Sequence, residues 1–81
     1  KLMAFKLTDF NKLAAKYDLY LTKYYGYFAW GFTDSDRYER EEFTWDDVPP
    51  CVCVKHFNHL KKENWMLELK RAIEHLKKEQ Y

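Results

Sequence analysis

The residues best suited to chemistry lie close together. Cys51, Cys53, His56 and His59 follow one another as C-x-C-x2-H-x2-H. Thiolates and imidazoles are the ligands zinc prefers, and His75 would be available from a downstream helix. Structural zinc sites, however, draw two ligand pairs from separate elements, with a dozen or more residues between the pairs. Four ligands on one short segment do not converge unless the chain winds tightly, and the interleaved Val52 and Val54 point to packing instead. A small zinc-binding protein is therefore only the third reading, and no metal ligand or cofactor is assigned. A cysteine nucleophile paired with His56 or His59 would need an orienting acid and an oxyanion hole, and neither is marked. The carboxylates Glu39, Glu41 and Glu42 read as solvated side chains rather than an acid–base pair. The chain has only two glycines, too few for a phosphate-cradling loop. The expectation is a protein that is not an enzyme.

The recognition chemistry sits in Lys23–Phe32. Six of its ten residues are aromatic, and Gly26 and Gly31 are the two glycines. Aromatic side chains favour strands because rings pack well on a pleated surface. Read as one long strand over 19–32, bulged near Gly26, alternation puts Tyr25, Tyr27, Ala29 and Gly31 on one face. Tyr24, Gly26, Phe28, Trp30 and Phe32 fall on the other, the core side. Tyr25 and Tyr27 would then offer ring edges and hydroxyls to a partner. Residues 23–30 also resemble the octapeptide of the RNA-recognition domains at Lys23, Tyr25, Gly26 and Trp30. Tyr24 and Phe28 depart from that pattern, and the family's element order, with the motif on a third strand, is not met because no second strand fits before Lys23. The resemblance implies bases stacked on tyrosines, with phosphates held by Lys23, Lys55, Lys61 and Lys62.

Eighty-one residues make one domain with a small core, offset by an aromatic share of 20%. Lys1 and Leu2, ahead of Met3, read as vector-derived, leaving a single α+β domain over 3–81. The charge of +1 hides a pattern. Residues 1–32 hold five lysines against two aspartates, net +3. Residues 33–50 hold seven acids against two arginines, net −5. Residues 51–81 hold seven bases against four glutamates, net +3. A general nucleic-acid binder would be basic throughout. Two cysteines one residue apart suggest a reducing, cytoplasmic setting rather than a disulfide framework. No apolar run is long enough to span a bilayer, so no membrane partner is expected.

The elements that position these residues follow from periodicity. Phe10, Leu13, Ala14 and Tyr17 form a helical stripe over 9–17, capped by Thr8 and stopped at Asp18. Thr33–Asp36 is a turn by composition. Arg37–Trp45 reads as an exposed edge strand with Phe43 and Trp45 at its buried end, or else as a short helix capped by Asp34 or Ser35. Pro49 and Pro50 break the chain. Cys51–Phe57 fits either a third strand or a helix. From Asn58 or Asn64 onward, Trp65, Met66, Leu69, Ala72, Ile73 and Leu76 form one stripe. Leu60 and Leu67 fall opposite it, facing either a break or a partner.

The expected fold is α+β: an N-terminal helix, a two- or three-stranded antiparallel sheet, and a long C-terminal helix packed on one sheet face. The expected function is a small non-enzymatic protein-binding module, a regulator or inhibitor, contacting its partner through Tyr25, Tyr27, Glu39, Glu41, Leu60 and Leu67. Single-stranded nucleic-acid binding is the alternative. A homodimer would be a further way to bury surface.

Overall fold

A computed structural model describes residues 4–78. Lys1 and Leu2, and with them the expected vector boundary at Met3, lie outside the described residues.

The chain builds an N-terminal helix α1 (Leu7–Ala14), a hairpin of β1 (Leu19–Tyr24) and β2 (Tyr27–Phe32), and a long helix α2 (Lys62–Lys78). The architecture is α+β, as expected. Helix α1 begins earlier than Thr8 suggested. Its cap is Lys6, whose backbone N–H donates to the Asp9 carboxylate at 2.9 Å. After a single 3₁₀ turn over Ala15–Tyr17 the chain stops at Asp18, which sits in the left-handed region at φ 64°. Asp18 then ties the base of the hairpin together. Its carboxylate accepts from the Thr33 hydroxyl, from the Asp34 N–H at 2.9 Å and from Arg37 Nη1 at 2.9 Å. Partial burial alone would raise this carboxyl's pKa. The bonds from Thr33, Arg37 and Asp34, with the Arg37 charge, outweigh burial and hold it below its ordinary value.

The aromatic run is not one strand. It folds back at Tyr25–Gly26, with Tyr24 pairing Tyr27 and Leu19 pairing Phe32 in an antiparallel register. Gly26 has φ +89°, the conformation glycine tolerates best, so the turn falls there. The reversal corrects the expected face of one residue. Tyr24 lies beside Tyr27, not beside Phe28, and their rings stack at 5.3 Å. Phe28, Trp30 and Phe32 are buried with Leu19 and Leu21, as alternation predicts. Gly31 serves packing rather than turning: the Tyr20 ring occupies the space a side chain would fill, 2.7 Å from where a Cβ would sit.

The outer edge of β1 is closed by a side chain. The Asn11 amide accepts from Leu21 N–H at 2.7 Å and donates to Leu21 C=O at 3.0 Å, standing in for a neighbouring strand. On the β2 edge the expected third strand is reduced to one bridge, Phe28 with Val52. Extending that ladder would set Pro50 opposite Trp30, and proline has no N–H to give. On the far side, Val54 N–H turns back onto Val52 C=O at 3.0 Å.

The expected strand over Arg37–Trp45 is also absent, and the alternative, a short helix capped by Asp34, is what forms. A 3₁₀ helix spans Ser35–Glu39, capped by the Asp34 carboxylate accepting from Asp36 N–H, and a 3₁₀ turn spans Trp45–Asp47. Asp34 and Asp47 satisfy backbone donors locally, which competes with extended pairing.

Helix α2 lays Trp65, Leu69 and Ala72 into the core. Trp65 meets Phe28 edge-to-face at 5.3 Å, meets Phe10 at 5.6 Å and stacks on Phe57 at 4.7 Å. Its indole N–H donates to Phe57 C=O at 2.7 Å, so the largest core side chain leaves no polar atom unpaired.

Candidate functional site

The inner face of the hairpin is consumed by the core. The outer face carries Tyr20, Tyr24 and Tyr27, all exposed, with Thr22 and Ala29 between them. Beside it stands Trp45, 75% exposed. Between the tyrosines and the Trp45–Pro50 segment runs a groove of about 800 Å³, walled by Tyr24, Tyr27, Trp45, Asp46, Pro50 and His75. A smaller hollow of about 340 Å³ continues it past Tyr20, sharing Tyr24, Ala29, Trp30 and Trp45.

Trp45 is exposed but not loose. Phe32 N–H donates to the Tyr38 hydroxyl at 2.6 Å, Tyr38 meets Phe43 edge-to-face at 5.3 Å, and Trp45 packs on Phe43 at 5.3 Å and Tyr38 at 5.9 Å. The Thr44–Asp47 capping box fixes the backbone on which the indole is mounted. The same wall is tied to α2 by His75, whose Nε2 lies 2.7 Å from Asp46 C=O. A carbonyl can only accept, so the proton sits on Nε2.

The groove has an acidic side. Asp46 lines it, and Asp34, Asp36, Glu39, Glu41 and Glu42 are exposed on the same segment. Among the described residues the ion pairs are Arg37–Asp18 and Arg71–Glu68, so neither neutralises those carboxylates. Arg37 is committed to Asp18 and to the Phe32 ring, 3.8 Å from its centroid.

The six residues predicted to meet a partner are dispersed. Tyr27 lines the groove. Tyr25 stands at the turn tip, 87% exposed, beside the groove rather than in it. Glu39 ends a 3₁₀ helix and Glu41 follows it, both exposed, and not on the strand expected to carry them. Leu67 is 44% exposed on α2. Leu60 precedes α2 in extended backbone and packs half-buried on the core, so its phase opposite the stripe reflects the break in the helix. Sequence reasoning missed Tyr24, Trp45 and His75. Trp45 was expected to be buried, yet the Thr-x-x-Asp pattern around it already signals a capped turn.

The remaining constellations are not assembled. Cys51 and Cys53 are exposed free thiols flanking buried Val52. His56 and His59 approach edge-to-face at 5.0 Å, and Lys23 Nζ lies 3.4 Å from His56 Nδ1. Desolvation and the nearby Lys23, His59 and Lys55 hold the His56 imidazole below its ordinary pKa. Among the described residues no three His, Cys, Asp or Glu side chains converge as a metal site would require. The segment resembling the RNA-recognition octapeptide is split by the Tyr25–Gly26 turn, so its rings do not share one strand. No helix among the described residues is long and apolar enough to cross a membrane.

No family model, curated protein or solved structure matches this chain.

Proposed function

We propose that the protein is a small non-enzymatic protein-binding module, a regulator or inhibitor, that grips its partner along the groove between the outer hairpin face and Trp45. One observation carries this reading: Tyr24, Tyr27 and Trp45 stay solvent-facing around a groove of about 800 Å³ while a separate set of rings fills the core. Tyrosine and tryptophan held rigidly at the surface are the side chains that anchor protein interfaces. A wall fixed by hydrogen bonds loses little entropy on binding. The acidic segment 33–50 supplies a charged rim that steers a cationic partner face. The same acidity disfavours nucleic acid, because Asp46 would oppose phosphate. Tyr24 and Tyr27 also cover part of each other's stacking surface. Two exposed free thiols suit a reducing compartment, and we place the protein in the cytoplasm.

The test is affinity capture from host lysate with wild type and with a Tyr24→Ser/Tyr27→Ser/Trp45→Ser variant. The reading predicts a protein retained by the first and lost by the second, insensitive to nuclease. Equal capture by both would refute it.

A further inference from the structure

A second groove lies on the helical side of the molecule, on the flank of α2 away from His75. It has a volume of about 370 Å³ between α1 and α2. Its floor is apolar: Leu13 from α1, with Met66 and Ile73 from α2, all half-buried above buried Leu69. Met66 and Ile73 sit at the margin of the α2 stripe, where the curved surfaces of two packed helices part. Its rim is basic. Lys16, Lys70 and Lys77 line it against one carboxylate, Glu74, a surplus of two positive charges. Neither ion pair among the described residues involves those three lysines. Lysine stems extend an apolar floor while their ammonium groups stay in water, so floor and rim form one amphiphilic trough.

We propose that this groove binds a single-chain anionic amphiphile, a long-chain carboxylate, with its alkyl chain along Leu13, Met66 and Ile73 and its carboxylate among Lys16, Lys70 and Lys77. The volume falls within the ~300–1,000 Å³ of small-molecule sites. The charge surplus selects an anion, and the floor offers the head group's tail an apolar bed. The site is independent of the aromatic groove, so either can fail without the other.

The experiment is a methyl and amide NMR titration with sodium dodecanoate kept below its critical micelle concentration. The expected result is saturable one-to-one binding with shifts centred on Leu13, Met66 and Ile73. Each two-carbon extension should tighten binding about tenfold while the chain still fits. Dodecanol, the same chain without charge, should bind at least about tenfold more weakly. The Lys16→Glu/Lys70→Glu variant should lose carboxylate affinity about tenfold while losing clearly less affinity for dodecanol, and its unchanged amide spectrum away from the groove should report an intact fold. The proposal is overturned by no saturable shift, by shifts centred on Tyr27 and Trp45, by equal affinity for the alcohol, or by binding to phosphatidylglycerol vesicles but not to monomeric dodecanoate.

Discussion

The two sides of the hairpin use aromatic residues in opposite ways. Inside, Phe10, Phe28, Phe57 and Trp65 form a closed cluster of rings, most meeting tilted or edge-on, with the one polar atom, the indole N–H, satisfied at 2.7 Å. Outside, Tyr20, Tyr24, Tyr27 and Trp45 keep large surfaces in water and line a groove instead of filling it. One aromatic surplus therefore serves two ends. Rings without hydroxyls supply the apolar burial a short chain needs, and rings with a polar edge remain available for contact. The comparison teaches that aromatic content alone does not report core size. Ring type sorts the phenylalanines from the tyrosines, and position in the fold sorts the tryptophans: Trp30 and Trp65 are buried and Trp45 is exposed.

The sharpest way to test this division is to remove one ring from each side. Trp65→Ala should cost about 3–5 kcal/mol, as deletions of large core side chains do. Against a total stability of roughly 5 kcal/mol or somewhat more, only about 0–2 kcal/mol would remain, so the urea midpoint should fall to less than half its wild-type value. A Trp65→Ala protein with a wild-type urea midpoint would mean that the inner cluster is not the core. Asn11→Ala should cost less, about 1–3 kcal/mol, by leaving the Leu21 N–H and C=O without partners under a packed helix. Its amide should also lose hydrogen-exchange protection at Leu21 ahead of the rest of the hairpin.

A smaller effect should appear with pH. The Asp18 carboxyl is held below its ordinary value in the folded protein by the bonds from Thr33, Arg37 and Asp34. Its contribution is present above the unfolded pKa and is lost as pH falls through the lower folded value. Thermal midpoints should therefore drop on acidification below about pH 4, the unfolded carboxylate value. Asp18→Asn should lower the midpoint at neutral pH and flatten that acid limb. An unchanged acid limb would show that Asp18 does not bind the base of the hairpin.

Much of this was legible in the sequence. Both helices follow a 3.6-residue stripe, which survives because each helix packs one face only. Alternation placed Phe28, Trp30 and Phe32 inside because β2 is regular along its length. The hairpin turn was hidden for a physical reason. Tyr24-Tyr25-Gly26-Tyr27 lacks the Asn-Gly or Asp-Gly pair that announces a two-residue loop, and continuous strand-forming residues mask the break. Missing it misplaced Tyr24 and lengthened one strand across what is a pair. The segment 37–54 misled in another way: its valines and aromatics favour extension, but Asp34, Asp47 and Pro50 satisfy or remove the donors a ladder would use. The groove was illegible for the same reason, since Trp45 reaches it through that misread segment. The α1–α2 trough is not legible in the sequence because its residues look like ordinary stripe margins until two helices are set side by side.

The smallest effect on stability is the most decisive for the account. The thermal midpoint of a Tyr27→Ser/Trp45→Ser variant, measured beside wild type, asks directly whether the outer rings are spared from the fold. Exposed substitutions change stability by about 0.5 kcal/mol or less each, so the midpoint should fall by no more than about 4–8 °C. A variant that melts as low as Trp65→Ala would place the outer rings in the core and contradict the claim.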